Sequence, residues 1–150
     1  MNYDKEDMYS VLKNFPDQIE EGIKLAKNIK VEGEVDKIFF LGMGGSALPG
    51  DIMKDYLKEL PVYVVKGYNI PKFMDEKSLV FAISYSGNTE ETINAFREAS
   101  KTGAKIVTIS SGGKLEELAK VAEKTHIKVP AGIQPRQAIG YQFFPPFTIL

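Results

Sequence analysis

The apolar residues near the start of the chain recur at the three- and four-residue intervals of a helix. Pro16 divides this stretch, residues 4–30, into two patterns and suits the first turn of the second helix. The two apolar sets are Met8, Leu12 and Phe15, followed by Ile19, Ile23 and Ala26. The spacing therefore predicts an N-terminal helical arm, to which we assign residues 1–34.

From residue 35 onward, short runs rich in Val, Ile and Phe alternate with amphipathic stretches of helix length. The predicted strands are Val35–Leu41, Pro61–Lys66, Leu79–Ser84, Lys105–Ser110 and Thr125–Val129. The helices between them carry apolar sets at helical spacing: Leu48, Ile52 and Tyr56; Ile93, Phe96 and Ala99; and Leu115, Leu118, Ala119 and Ala122. Such alternation is typical of a parallel sheet covered on both faces. It predicts an α/β fold over residues 35–150, with a doubly wound five-stranded parallel sheet.

Composition excludes several function classes. The 19 Lys and Arg against 20 Asp and Glu give a net charge of −1, so no basic field favours nucleic acid as a partner. The absence of Cys excludes disulfides, Cys-ligated zinc and thiol catalysis. No apolar run approaches the ~20 residues that span a bilayer, and the first residues are unlike a signal peptide. We expect a cytoplasmic domain with no membrane partner.

The last 14 residues, 137–150, carry no charge. Such a segment either packs under another part of the protein or belongs to a chain cut from a longer one. Phe143, Phe144, Phe147 and Ile149 are expected to form a large exposed apolar patch. A patch of that kind marks an interaction site, so the sequence predicts a homodimer through this surface.

Two loops have the character of a ligand site, because ligands of open parallel sheets bind beyond the carboxyl ends of the strands. The first loop is GMGGSA at residues 42–47, where glycines leave backbone amides unobstructed before a helix that favours an anion. Its spacing also fits the dinucleotide fingerprint, with Ala47 in the last place. That fingerprint expects an acidic residue at the end of the next strand, where this chain has Lys66. A nucleotide-binding Rossmann domain is therefore the disfavoured alternative.

The second loop, SYSGNT at residues 84–89, is the more specific signal. Ser84, Ser86 and Thr89 supply three hydroxyls beside a glycine and a helix start, which suits one phosphate group without a metal. The alternative is simple helix capping, because Asn88 followed by Glu91 resembles a capping box. The three hydroxyls together, opposite a glycine-rich loop, favour phosphate.

A third candidate is Arg136, in the segment that follows the fifth strand. Pro130 and Pro135 stiffen this segment, so it can hold a cation at the same sheet edge with little loss of entropy. Other motifs are weaker. The run GGK at residues 112–114 resembles the end of a P-loop, but Leu115 replaces the metal-binding hydroxyl. His126 lies inside a strand, where a packed histidine is the expected role, and no residues have metal-ligand spacing.

Three segments together resemble the sugar isomerase (SIS) domain family: FLGMGGSALPGD, ISYSGNTEET and VPAGIQPRQAIGYQFF. Within it they are similar to the N-terminal half of the bifunctional phosphoglucose/phosphomannose isomerases. The resemblance implies a flavodoxin-like α/β fold, a phosphosugar substrate and no cofactor. Members carry two SIS domains in tandem, so this chain would be the first. A non-catalytic phosphosugar-binding SIS module is the alternative; a DNA-binding segment would indicate it, and none is visible.

The resemblance also assigns roles to individual residues. The residues that match phosphate-binding positions are Gly45, Ser46, Ser84, Ser86 and Thr89. Gly44 and Arg136 match positions beside the reacting carbons, where Arg136 would stabilise a cis-enediolate. The family's base and ring-opening acid are a Glu, a His and a Lys that fall on no residue of this sequence, and the His comes from a partner subunit. The chain alone is therefore expected to bind phosphosugar weakly, if at all, and not to convert it.

Overall fold

A computed structural model of the protein describes residues 3–150. Its centre is a single five-stranded sheet in which every neighbouring pair is parallel, in the order β2-β1-β3-β4-β5. The strands are β1 (Lys37–Leu41), β2 (Val62–Val65), β3 (Ser78–Ile83), β4 (Lys105–Ser110) and β5 (Thr125–Lys128). The predicted fold class is confirmed.

Six α-helices and two 3-10 turns surround the described strands. The helices are α1 (Met8–Lys13), α2 (Phe15–Ala26), α3 (Leu48–Tyr56), α4 (Glu90–Ala99), α5 (Gly113–Val121) and α6 (Ile139–Ile149). The 3-10 turns are Gly44–Ala47 and Pro135–Gln137. Helices α4 and α5 pack on one face of the sheet, and α2, α3 and α6 pack on the other.

Alternation of side chains along the strands produces two apolar layers. On β1, Phe39 and Leu41 face α4 and α5, whereas Ile38 and Phe40 face the opposite layer, and all four are fully buried. The ring of Phe40 stacks on Phe81 of β3 with centroids 5.1 Å apart. Strand order reverses between β1 and β3, so the doubly wound sheet opens a crevice at their carboxyl ends.

The N-terminal arm buries only part of the apolar set that its spacing predicts. None of the residues of α1 is buried, and Leu12 is exposed. Helix α2 buries Gln18, Gly22 and Ala26, while Ile23 is exposed. The reason is a close crossing with α6: a Cβ on Gly22 would lie 3.1 Å from the carbonyl oxygen of Gly140. Small residues therefore determine which side of α2 faces inward.

Helix α3 departs from its predicted face in the same way. Leu48, Ile52 and Tyr56 are exposed, and the buried residues are Pro49, Gly50 and Met53. A Cβ on Gly50 would lie 2.5 Å from the Cβ of Phe40, so the helix rests directly on β1 at that position. An apolar set at helical spacing here marks the outer surface of the helix.

The uncharged C-terminal segment forms α6, which is covered on one side by α2. Gly140, Gln142, Pro145 and Pro146 are buried in it. The expected large apolar patch is wrong, because Phe143, Phe144 and Ile149 are half-buried in the packing of α6 against its neighbours. Of the four residues predicted to form it, only Phe147 is exposed. Within residues 3–150, every helix is too short or too polar to cross a membrane.

Candidate functional site

The glycine-rich loop after β1 folds into a 3-10 turn at the crevice. Gly42 is required there, because a Cβ would lie 2.5 Å from the carbonyl oxygen of Ser46. Gly44 has a left-handed backbone with φ of 52° and open space around it. Ser46 is buried, and its hydroxyl accepts a hydrogen bond from the backbone N–H of Tyr85 at 3.3 Å. This bond joins the turn to the loop that follows β3.

The loop after β3 closes on the hydroxyl of Ser84. That buried oxygen lies 2.9 Å from Oγ1 of Thr89 and accepts from the N–H of Gly87 at 3.1 Å. Ser86 is exposed at the crest of the loop, where its hydroxyl accepts from the N–H of Asn88 at 3.2 Å. The structure thus brings the hydroxyls of Ser84 and Thr89 into contact and leaves that of Ser86 facing solvent.

Helix α4 begins directly after this loop, and no side chain caps its first turn. The capping box that the spacing of Asn88 and Glu91 resembles is not formed. The Asn88 side chain turns to α5 instead, where its Oδ1 accepts from the N–H of Lys114 at 3.0 Å. The uncapped N-terminus of α4 therefore presents the positive end of its dipole to an anion, and the carboxylates of Glu90 and Glu91 in the first turn oppose this effect.

Two glycines at the start of α5 support the loop from outside, a role that the sequence did not reveal. A Cβ on Gly87 would lie 1.7 Å from the carbonyl oxygen of Gly112, and one on Gly113 would lie 2.5 Å from that of Ser86. The N–H of Leu115 donates to the carbonyl of Gly87 at 2.8 Å. The run that resembles a P-loop thus supports the serine loop through backbone contacts. Its two adjacent glycines were the sequence signal that could have indicated this close approach.

Arg136 reaches the same crevice from the chain after β5. It lies in the Pro135–Gln137 turn, and its Cα would be 3.3 Å from a Cβ on Gly45. Its side chain is exposed. Tyr85 ties this segment to the serine loop, because its hydroxyl donates to the carbonyl of Pro130 at 2.9 Å and accepts from the N–H of Ile133 at 3.3 Å. Burial raises the pKa of Tyr85, so the phenol remains neutral.

Two residues that other motifs single out have partners of their own. At the end of β2, Nζ of Lys66 pairs with Asp51 at 2.8 Å, so a cation lies where a nucleotide site expects a carboxylate. His126 lies on β5 with Nδ1 2.8 Å from the hydroxyl of Thr108, and burial lowers its pKa. Among residues 3–150, no cluster of three or more potential metal ligands occurs.

Comparison with known proteins agrees with this geometry. Residues 34–144 match the sequence model of the SIS domain, which covers most of the chain and all the loops described above. The chain belongs to the SIS domain family. A "bifunctional phosphoglucose/phosphomannose isomerase" of Caldicellulosiruptor bescii is 42% identical over 144 residues, which are 92% of this chain and 42% of that protein. The protein of the same name from Thermoplasma volcanium is 46% identical over 127 residues, covering 85% of this chain and 40% of its own.

This SIS chain spans about two fifths of the length of the curated relatives it matches. Among solved structures, tagatose-6-phosphate ketose/aldose isomerase from Escherichia coli covers 95% of this chain with a TM-score of 0.59, and the match spans 43% of that protein. At 20% identity that likeness establishes the shared fold.

Proposed function

We propose that this chain is the N-terminal SIS domain of a bifunctional phosphoglucose/phosphomannose isomerase, with residues 1–34 as a helical arm and residues 35–150 as the domain. The reaction interconverts glucose 6-phosphate or mannose 6-phosphate with fructose 6-phosphate, without a cofactor, through a cis-enediolate. Such an enzyme would serve glycolysis and gluconeogenesis in the cytoplasm. The names of the relatives at 42% and 46% identity support the substrate class.

The observation that carries this proposal is the convergence of two loops at the uncapped start of α4. The proposed phosphate ligands are the hydroxyls of Ser46, Ser84, Ser86 and Thr89 with the backbone of Gly45. Support comes from the bond between Ser46 and the Tyr85 N–H, which holds the two loops together at 3.3 Å. Hydroxyls, free amides and a helix dipole bind a phosphate group without a metal.

Arg136 and Gly44 are proposed to face the reacting carbons of the sugar. A Cβ on Gly44 would have nothing within 4 Å, so the backbone there leaves room for a ligand. Across the turn, the backbone of Arg136 rests on Gly45. A guanidinium held at this place would stabilise the oxyanion of the enediolate more than the neutral substrate, which lowers the barrier.

Proton transfer between C1 and C2 also needs a base, and ring opening needs an acid. The Glu, His and Lys that do this in the family fall on no residue of this sequence. We therefore expect the 150-residue chain to bind phosphosugar weakly, if at all, and not to isomerise it. Turnover of fructose 6-phosphate by this chain in a coupled assay, abolished by Arg136→Ala, would contradict that assignment of the base.

Binding is tested by thermal shift and calorimetry with fructose 6-phosphate, glucose 6-phosphate, sulfate, unphosphorylated fructose and NAD. Stabilisation by the two phosphosugars and by sulfate, without an effect of fructose, is the expected result. Stabilisation by NAD alone would favour the Rossmann alternative. If the complete gene product binds phosphosugars and fails to convert them, the domain is a non-catalytic binding module.

We further propose that the protein acts as a homodimer. The support is an apolar groove of about 510 Å³ between α3 and α6, which is lined by exposed Tyr56, Phe147 and Leu150. Light scattering of the complete gene product at micromolar concentration is expected to give twice the monomer mass. A Tyr56→Glu variant should shift that mass toward the monomer, and a monomeric parent protein would contradict the proposal.

A further inference from the structure

Three glutamines surround the turn that carries Arg136, and all three are buried. Gln18 comes from α2, Gln142 comes from α6, and Gln137 is the last residue of the turn itself. A glutamine is mostly found at the surface, and an amide in the interior needs partners for both its ends. The hydrogen bonds that these amides make, and the polar atoms that they leave unpaired, indicate that they hold the turn in place.

The amide groups of Gln18 and Gln142 donate to the carbonyls on either side of Arg136. Nε2 of Gln142 donates to the Pro135 carbonyl at 2.9 Å, and Nε2 of Gln18 donates to the Gln137 carbonyl at 3.0 Å. Because every partner is a carbonyl oxygen, the orientation of both amides is fixed with the NH₂ group toward the turn. The backbone on both sides of Arg136 is therefore held by two side chains from different helices, one 119 positions from its partner Gln137 and the other 7 positions from its partner Pro135.

This arrangement is made at the expense of unpaired polar atoms. Oε1 of Gln18 and Oε1 of Gln142 are buried without a hydrogen-bond partner among the described residues, and so is Nε2 of Gln137. Leaving such atoms unpaired in the interior is unfavourable, and a methionine of similar shape at position 18 or 142 would avoid the unpaired oxygen. Polar groups kept at a stability cost occur most often at functional sites.

Neighbouring glycines connect the two glutamines, Gln18 and Gln142, with the proposed active site. A Cβ on Gly140 would lie 2.6 Å from the Cβ of Gln18, so the α2–α6 crossing leaves just enough room for that side chain. On the other side of the turn, the Pro135 carbonyl that Gln142 holds would lie 3.4 Å from a Cβ on Gly45. The chain of contacts thus runs from α2 and α6 through the turn to the proposed phosphate site.

We infer that Gln18 and Gln142 are positioning residues for Arg136: their amides fix the two flanking carbonyls and thereby the placement of the guanidinium against the enediolate. This inference rests on the proposed function, in which Arg136 acts on the sugar carbons. It assigns the N-terminal helix α2 a part in the chemistry, although no residue of α2 lies in the crevice. Misplacement by about 1 Å costs an enzyme up to ~100-fold in rate, so a shift of a few tenths of an ångström suffices for a measurable loss.

The test is a double-mutant cycle in the complete gene product, with kcat and KM measured for fructose 6-phosphate. Gln142→Met is expected to lower kcat about tenfold and to change KM less than about twofold, because the phosphate ligands are untouched. In the Arg136→Ala background, the same substitution is expected to have no further effect on kcat. A glutamine that only stabilised the fold would lower activity equally in both backgrounds.

Gln18→Met repeats the cycle from the other side of the turn, and it carries the test if Gln142→Met fails to fold. The matched control is Thr102→Val, which removes a hydroxyl that donates to the Ala99 carbonyl at 2.8 Å on the far side of the sheet. That control is expected to leave kcat unchanged. Melting temperatures of all variants show whether a loss of activity follows a loss of folded protein.

Two results would overturn the inference, and they can be told apart. If Arg136→Ala lowers kcat while both glutamine variants retain full activity or act additively with it, the positioning role is wrong and the proposed function stands. If Arg136→Ala itself leaves kcat unchanged, the role proposed for Arg136 is wrong and the inference is wrong with it.

Discussion

The two halves of the candidate site are held in different ways. The serine loop after β3 is held by short contacts: the Ser84 hydroxyl binds Gly87 and Thr89, and the N–H of Leu115 at the start of α5 donates to the Gly87 carbonyl at 2.8 Å. The turn at Arg136 is held by the longer side chains of Gln18 on α2, which is 119 positions from its partner Gln137, and of Gln142 on α6. The serine loop depends on backbone contacts with the adjacent start of α5, and the turn depends on how α2 packs on α6.

This difference matches the tasks proposed for the two regions. A phosphate group needs a rigid ring of donors, and a short loop before a helix, fixed by close backbone contacts, provides it. A cation that acts on a transition state must be placed to within a fraction of an ångström, which takes support from the packed interior. Substitutions in each region therefore have separate expected effects on stability, binding and kcat.

The largest effect is expected from Gly87→Ala in the serine loop. Gly87 has φ of 74°, and an added Cβ would lie 1.7 Å from the Gly112 carbonyl oxygen, so either the loop or the start of α5 must move. We expect a loss of about 4 kcal/mol in the free energy of unfolding and no measurable phosphosugar binding. Urea denaturation and calorimetry measure the two effects.

Gly67→Ala is the matched control, because a Cβ on Gly67 has nothing within 4 Å. It should leave both stability and binding close to those of the parent. Equal behaviour of the two alanine variants would mean that the serine loop is not locked by its backbone contact with Gly112.

Arg136→Ala attacks the other half of the site and should separate activity from stability. The side chain is exposed, so its removal is expected to change the free energy of unfolding by less than about 0.5 kcal/mol. Loss of a group that stabilises a developing oxyanion lowers kcat by about 100-fold or more. Steady-state kinetics of the complete gene product and sulfate binding provide the readouts, and sulfate affinity should be retained. If Arg136→Ala instead weakens sulfate binding and leaves kcat unchanged, Arg136 contributes to anion binding, and the roles proposed for the two regions are wrong.

Within the serine loop, Ser84 and Ser86 should respond differently to alanine. Ser84→Ala removes the hydroxyl that contacts Thr89 and the N–H of Gly87, although that N–H keeps the Ser84 carbonyl as an acceptor at 2.9 Å. We therefore expect a loss of about 1 kcal/mol in stability together with weaker binding. Ser86 is exposed, and its replacement should weaken sulfate and phosphosugar binding with almost no change in melting temperature. If Ser86→Ala binds sulfate as tightly as the parent, its hydroxyl is not a phosphate ligand.

The smallest effect is a pH dependence of stability that originates outside both regions. Burial lowers the pKa of His126, with an opposing effect from Glu116, so the folded protein takes up a proton less readily than the unfolded chain. As pH falls below ~6.5, the unfolded state binds more protons and the free energy of unfolding decreases. The loss continues until the pH reaches the lowered pKa of the folded state.

Melting temperatures between pH 5 and 8, an interval that brackets the ~6.5 of an ordinary histidine, should reveal this decline in the parent and a flatter profile in His126→Gln. The window stays clear of Glu116, whose pKa the hydrogen bonds from Lys120 and Lys128 lower to about 2. Stability that depends on that carboxylate is lost only at lower pH. Identical profiles in the two proteins would show that His126 is not the origin.

The same contrast explains what could be predicted from the sequence. Strands of a parallel sheet appear as continuous apolar runs, so all five were located, with boundaries that differ from the structure by at most two residues. The serine loop was equally visible, because its hydroxyls and glycine are neighbours in sequence. The support of Arg136 was invisible: Gln18 and Gln142 are of a residue type usually found at the surface, and only the crossing of α2 and α6 buries them. The face of α3 was predicted wrongly for the opposite reason: Ile52 is of a residue type usually found in the interior, and the packing of the helix leaves it exposed.

The crossing of α2 over α6 also limits how many N-terminal residues can be removed without exposing the interior. A fragment trimmed to residue 34, where the match to the SIS pattern starts, would lose Gly22 and uncover the proline-rich side of α6. Such a fragment should bind a hydrophobic dye and precipitate on purification. Trimming only through α1, which buries none of its side chains, should yield a monodisperse product. Limited digestion by a protease should accordingly stop at the first turn of α2.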